Sequence, residues 1–531
     1  MTDSRCDAVV VGGGPNGLVA AIALADAGWD VELVEQQDEV GGAVRSASVT
    51  APGHVTDLFS AFYPLAAASP VVRDLGLTDH GLEWVRAPDP VGHAFPDGRG
   101  SVVRHRAEDT AAELDAAAPG DGDAWLEVVA GWDRVRDSLL DALFTPFPPA
   151  RAAVGVLRSA RTSGTLDLAR LALSSVRRFG HEQFSGDGAR VLFTGNSMHS
   201  DLHPDGAGSA LFGWLLVMLA QDVGFPVPRG GAGELSQAMR RRAEAAGVRV
   251  RCGSAVEAVL VRSGRARGVR LEDGSVVHAR RAVLADVPAP MLYRDLVGAG
   301  HLPPRFVADL DRFQWDPATL KVNWALDGSV PWSAPQVRGA GTVHLGADDD
   351  GLVDTATDLT LGRMPHRPFL LFGQMSTADP SRSPAGSEAT WAYTHLPRAL
   401  ATDREAVARQ LERTEDMVEE VAPGFRDRVL ARYVQDPSRL ESEDAGLSLG
   451  SLNGGTAGLH QQLVFRPTKG LGRPETPVPG LYLASSSAHP GGGVHGACGW
   501  NAALSALRST GPLGAVRTRL AATAWARVLR D

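Results

Sequence analysis

The chain has 531 residues, well beyond the roughly 250–300 at which one hydrophobic core stops growing, so two domains are expected. Its composition, 44% hydrophobic and 21% charged, is that of a globular protein, and a formal net charge of −10 leaves no overall positive field to draw it to nucleic acid. The three cysteines, Cys6, Cys252 and Cys498, stand too far apart for a redox-active dithiol or a disulfide framework.

The apolar run Ala8 to Val11 predicts a buried strand, starting too early to leave room for a signal peptide. Gly12-x-Gly14-Pro15-Asn16-Gly17 follows at once, and then Leu18, Ala21, Ile22 and Ala25 recur at helical spacing. Gly28 closes that helix, Val31 to Val34 predicts a second strand, and Glu35 ends it. Each part suits a dinucleotide. Gly12 permits the tight turn, Gly14 lets backbone approach a pyrophosphate, and Gly17 lets helix and strand pack closely. The helix start offers free N–H groups and a positive dipole end to phosphate, and Glu35 stands where a carboxylate accepts from ribose hydroxyls. A Gly41-Gly42-x-x-Arg45 group then follows Glu35 by five residues; the pattern resembles the signature of a large FAD-binding class that includes amine oxidases and carotenoid desaturases, and that resemblance favours FAD over NAD.

Residues 105–225 read as mostly helical, broken at Pro146, Pro148 and Pro149 and interrupted by glycines near Gly186, Gly188 and Gly195. Between Arg151 and Arg178 stand six arginines and one aspartate, read as a solvated helix face or as at most peripheral contact with a membrane. His199-x-Asp201-x-His203 has the composition of a metal cluster but no supporting carboxylates nearby in sequence. No metal is expected, and a polar loop bordering an active site, with His199 in it, is the preferred reading. The uncharged stretch from Gly206 to Gln221 is too short to span a bilayer and reads as a core helix or as the wall of a substrate tunnel. A cytoplasmic location is the default. Lysine occurs only twice, at Lys321 and Lys469, and Lys321 opens an alternating strand pattern. Near the end, an apolar run to Ala484 leads into Gly491-Gly492-Gly493-Val494-His495, and a helix including Asn501 follows.

These segments together resemble the phytoene-desaturase-like branch of the amine-oxidase flavoprotein superfamily, with an overall pattern most like the pyridine nucleotide-disulfide oxidoreductase domain 2 type. Segments around Gly230-Gly231, Val256, Gly274 to Asp286, and Phe465-Arg466-Pro467 also fit it. The resemblance implies an α/β fold: a Rossmann-like FAD-binding domain (GR2-type flavoprotein) interleaved with a mixed α+β substrate domain. The FAD-binding segments would be 1–100, 226–290 and 455–531. A helical lid would occupy 101–225, and the sheet and helices of the substrate domain 291–454. By resemblance, Val256 touches adenine, while Gly492, Gly493, Val494 and Asn501 return to the flavin. Lys321 would hold water beside the flavin; the alternative is an inert lysine exposed at a strand edge. Non-covalent FAD is expected, although His489 and His495 lie close to it.

The implied function is FAD-dependent oxidoreduction, with oxygen or a quinone as possible acceptor. A small lipophilic substrate undergoing desaturation, saturation or isomerisation of C=C bonds is preferred. The rivals are an amine oxidase, which five tyrosines in all make less apt, and a non-catalytic flavoprotein scaffold.

Overall fold

The computed structural model describes residues 3–529, apart from the side chains of residues 161–163. Two seven-stranded sheets organise it. In the first, Ser4–Val11 lies between Val31–Val34 and Val276–Ala285, parallel to both, with Arg249–Arg251 beyond Val31–Val34. Leu481–Leu483 joins Val276–Ala285 in parallel, and the antiparallel pair Val256–Arg262 and Arg265–Leu271 extends that flank. Strands covered on both faces read as unbroken apolar runs, which is why Ala8 to Val11 and Val31 to Val34 carry no polar alternation beyond Glu32.

The helix Pro15–Asp26 connects the first two strands as expected. Every residue from Asn16 to Leu24 is buried, because the helix is enclosed by the sheet and by helices Ala232–Ala245 and Ala497–Thr510. Small side chains on all sides allow that enclosure, and their apolar surface supplies the helix's stability in place of a side-chain cap, which it lacks.

The second sheet is mostly antiparallel. Its order is Val429–Gln435, Ala318–Leu326, Glu388–Leu396, Leu370–Gln374, Ala340–Leu345, Asp89–Ala94, Gly100–Val103. This corrects the first segment boundary: Asp89–Ala94 pairs in parallel with Ala340–Leu345, so the first-sheet segment ends before residue 89 and not at 100. A second shift lies at residue 291, since Leu292, Tyr293, Phe306 and Leu310 share the core of the first sheet with Val283 and Leu481.

Helices Ala107–Ala117, Asp121–Phe144, Ala150–Leu173, Val176–Gln183, Asp187–Met198 and Ser209–Asp222 form the helical layer expected over 101–225. The helix Asp187–Met198 runs through Gly188 and Gly195, where the sequence suggested interruptions, because the His344 ring packs where a Gly195 side chain would stand. Ala150–Leu173 carries the arginine-rich stretch and exposes Leu157, Leu166 and Leu173; Arg170 pairs with Glu182, and the Arg161 side chain lies outside the described residues. No helix among the described residues is long and apolar enough to cross a membrane.

Candidate active site

A cavity of about 480 Å³ lies where the C-terminal ends of the parallel strands meet one face of the second sheet. In open α/β sheets this strand end is the usual ligand crevice. The nucleotide-type residues converge there. Gly12, Gly14, Pro15 and Asn16 line it from the first turn, Glu35 from the end of the second strand, and Gly42 and Arg45 from the loop beyond. Val256 borders it at the start of its own strand, and Gly492, Gly493 and Val494 reach it from the C-terminal loop.

Two expected contacts are not in the lining. Gly17 lies outside the lining, where a Cβ would collide with Gly12 O, so its role is packing. Asn501 is buried within its helix, neither of its side-chain polar atoms has a hydrogen-bond partner, and it does not border the cavity.

The Glu35 carboxylate accepts from the Gly13 amide at 2.6 Å and the Gln37 amide at 2.8 Å. Burial raises its pKa against those bonds. Two carboxylates that the sequence reading missed stand close by. Asp286, at the end of Val276–Ala285, accepts from the Gly17 amide at 2.7 Å, and burial pushes its pKa to about 7. Asp444 faces Gly42, and burial raises its pKa as well. Arg45 is the cation at this end; it donates to Gly42 O and Glu443 O and lies over the Phe59 ring. The signal for Asp286 was positional: it follows an apolar strand, as Gly12 and Glu35 do.

This end fits FAD. Asn16 Oδ1 is buried without a partner, ready to accept from a hydroxyl, and Gly14 leaves its surface open to a phosphate. Protonation of Asp286 lessens repulsion of that phosphate. The C-terminal loop is held from below by buried Arg466, which donates to Ser486 O, Thr456 O and Asn453 O. His495 lines the cavity, and its Nδ1 accepts from the Ala497 amide, which leaves the proton on Nε2. His489 is buried beside Phe147, outside the lining.

On the second-sheet side, Lys321 lines the cavity from a central strand and is only 2% exposed, so the exposed strand-edge reading fails. Its Nζ donates to Asp57 O and, at 3.0 Å, to Phe59 O, and it lies 5.3 Å from the centre of the Trp391 ring. The Asp57 carboxylate is already engaged by the fully buried Arg382. Burial is therefore the main influence and lowers the Lys321 pKa to about 7.

His199 also lines the cavity, with its Nε2 2.7 Å from His344 Nε2. One ring must donate and the other accept; burial alone lowers the His199 pKa to about 3, so it stays neutral. Asp201 turns instead to His395 and His203 to Thr357, so the three residues diverge; no metal-ligand cluster occurs among the described residues. The apolar helix Ser209–Asp222 has two faces. Phe212, Leu215 and Leu216 wall the cavity, while Val217, Met218 and Leu219 pack in the helical core.

A parallel sheet with its glycine turn and strand-end acids, facing an antiparallel sheet across an apolar cavity, defines a two-domain flavoprotein oxidoreductase. The chain belongs to the flavin-containing amine oxidoreductase family, whose model matches residues 16–503. FAD is its cofactor, and it is an enzyme of the FAD-dependent oxidoreductase class. It is 29% identical to the rat pyridine nucleotide-disulfide oxidoreductase domain-containing protein 2, over 94% of this chain and 92% of that one. It is 27% identical to phytoene desaturase (neurosporene-forming) of Cereibacter sphaeroides, over 95% of each. Among solved structures, an oxidoreductase from Methanosarcina mazei matches with a TM-score of 0.62 at 17% identity, covering 95% of this chain and all of that one. Putrescine oxidase bound to putrescine matches with a TM-score of 0.61 at 18% identity, covering 95% of this chain and 98% of that one. Both share the fold. The disulfide in the rat protein's name has no counterpart here, since all three cysteines are free.

Proposed function

We propose that the protein exchanges hydride between the carbon skeleton of an apolar substrate and FAD, desaturation being the forward reaction. The observation that carries this reading is the placement of charge in the cavity. Its only carboxylates among the described residues are Glu35, Asp286 and Asp444, all at the nucleotide end. The second-sheet side offers Phe62, Leu371 and Trp391 with Lys321, and nothing there would neutralise a substrate ammonium. The phytoene desaturases among its relatives support the same substrate class.

Bound FAD supplies the two-electron acceptor. The chain's part is to hold and to orient. Glu35 would accept from ribose hydroxyls, Gly14 and Arg45 would face the pyrophosphate, and the 491–494 loop would border the far end. Lys321 holds a mobile proton at Nζ. The apolar wall excludes water and fixes the substrate in one pose.

One observation favours the amine oxidase reading: the Trp391 and Tyr393 rings are stacked at 5.9 Å beside Lys321 and could frame an amine. Anaerobic bleaching of the flavin separates the two. Phytoene is expected to bleach it faster than putrescine, and bleaching by putrescine alone would reverse the assignment. Before either, the purified protein should show oxidised-flavin absorbance that passes into the supernatant on acid precipitation, marking the cofactor as non-covalent.

A further inference from the structure

We infer that Asp201, His395 and Thr319 form a proton-transfer line that opens into the cavity at the Thr319 hydroxyl. The line takes the proton that must leave a substrate as a C=C bond forms. Its role in desaturation rests on the substrate reading proposed above; its existence as a line does not.

Thr319 and His395 are direct cross-strand partners in the antiparallel pair Ala318–Leu326 and Glu388–Leu396, so their side chains share one face of the sheet. Thr319 Oγ1 lies 3.3 Å from His395 Nδ1, and Thr319 lines the cavity two residues from Lys321. On its other side, His395 Nε2 is 2.7 Å from Asp201 Oδ1, an ion-pair distance at which the two atoms are not aligned as a hydrogen bond. Asp201 Oδ2 accepts from Asn453 Nδ2 at 3.1 Å, which fixes the carboxylate from the cavity wall. Asp201 sits at φ 59°, a conformation that costs a non-glycine residue and that functional sites often retain. The Asp201 and His395 side chains are 2% and 8% exposed.

The groups facing His395 are few. Asp201 and Asp316 are the nearby carboxylates, and Tyr393 presents its ring edge-on at 5.6 Å. Burial disfavours charge on the imidazole, but Asp201 outweighs it and the pKa is raised, with a smaller push from Asp316. Burial also holds the Asp316 pKa up at about 6 and that of Tyr393 well above the ordinary range. His395 is thus the base that this carboxylate arrangement strengthens. Lys321 lacks such a partner.

Desaturation removes two hydrogens in different forms. One leaves its carbon with both electrons of the C–H bond, as hydride, and reduces the flavin. At the neighbouring carbon the C–H electrons become the new π bond, and the proton passes to Thr319 Oγ1. The threonine's own proton moves to His395 Nδ1, and the Asp201 carboxylate, 2.7 Å from Nε2, offsets the charge of the resulting imidazolium.

Two measurements test this. In the full chain labelled with ¹⁵N-histidine, with His395 assigned by its loss in His395→Gln, the imidazole is expected to titrate above the ordinary histidine range and to fall in Asp201→Asn. This readout needs neither flavin turnover nor substrate. An unperturbed midpoint, or one that Asp201→Asn leaves unmoved, would overturn the line. With phytoene as probe, anaerobic bleaching should rise with pH through that same midpoint. Thr319→Val should keep its flavin and its His395 titration yet bleach on the order of 10²–10⁴-fold more slowly. Thr319→Ser should restore most of the rate. Wild-type bleaching by Thr319→Val would overturn the proton role. If phytoene fails to bleach even the wild-type protein, the substrate reading falls, and the titration alone decides for or against the line.

Discussion

A Gly14→Val chain is expected to fold and to purify without flavin. Gly14 precedes the helix with φ −66° and ψ 173°, a conformation open to any residue, so the backbone bears no penalty for a side chain. A Cβ there would stand 2.8 Å from Asp286 Oδ2, which would have to shift and weaken its bond with the Gly17 amide. The rest of valine would project into the cavity, where a phosphate has to approach the turn. The expected result is absence of the flavin bands from a folded chain destabilised by no more than the weakened Asp286–Gly17 bond, about 1–3 kcal/mol, read by visible absorption and thermal unfolding together. Retention of full flavin would mean that the dinucleotide does not rest on this turn.

Gly17→Val should behave in the opposite way. Its Cβ would be driven into the Gly12 carbonyl oxygen, a backbone atom that cannot move without parting the helix from the strand. Overpacking of this kind costs on the order of 1–3 kcal/mol or more, so the variant should lose stability first and flavin only as a consequence. The two glycines look equivalent in the motif, yet one leaves room for a ligand and the other for the fold.

That contrast indicates what could be read from the residues alone. The first turn was legible because its strand, glycines, helix and terminal acid are contiguous, and local periodicity carries each of them. Glu35, Gly42 and Arg45 followed from spacing for the same reason. The second sheet was not. Its parallel pairing of Asp89–Ala94 with Ala340–Leu345 joins segments with no common local signal, and it moved a boundary that the family resemblance had placed later. Asp286 and Asp444 reach the nucleotide end only through tertiary pairing, as His395 reaches Asp201. His199, Asp201 and His203 had only the composition of a cluster, and each turns to a different partner, which spacing alone does not disclose. Asn501 is buried in its helix, away from the cavity lining.

Lys321→Met is expected to flatten the rise of stability with pH and to slow reoxidation of the reduced protein by oxygen, while leaving flavin content intact. The sign follows from the buried amine. Its folded pKa is about 7, whereas an unfolded lysine titrates near about 10.4. Between those values the unfolded chain holds a proton that the folded chain has released, so stability rises with pH across this window. Below about pH 7 the folded protein carries the full cost of the mismatch, of the order of a few kcal/mol, and by about pH 10 the cost is gone. Methionine has no proton to lose and removes the slope. It also leaves Asp57 O and Phe59 O without their donor, a penalty of about 1–3 kcal/mol that shifts the whole curve without tilting it. The slope of unfolding free energy between pH 7 and 10 is therefore the quantity to measure. An unchanged slope would mean that Lys321 keeps an ordinary ammonium in the folded protein. Unchanged reoxidation beside a flattened slope would leave the lysine as a buried amine with no part in the reaction with oxygen.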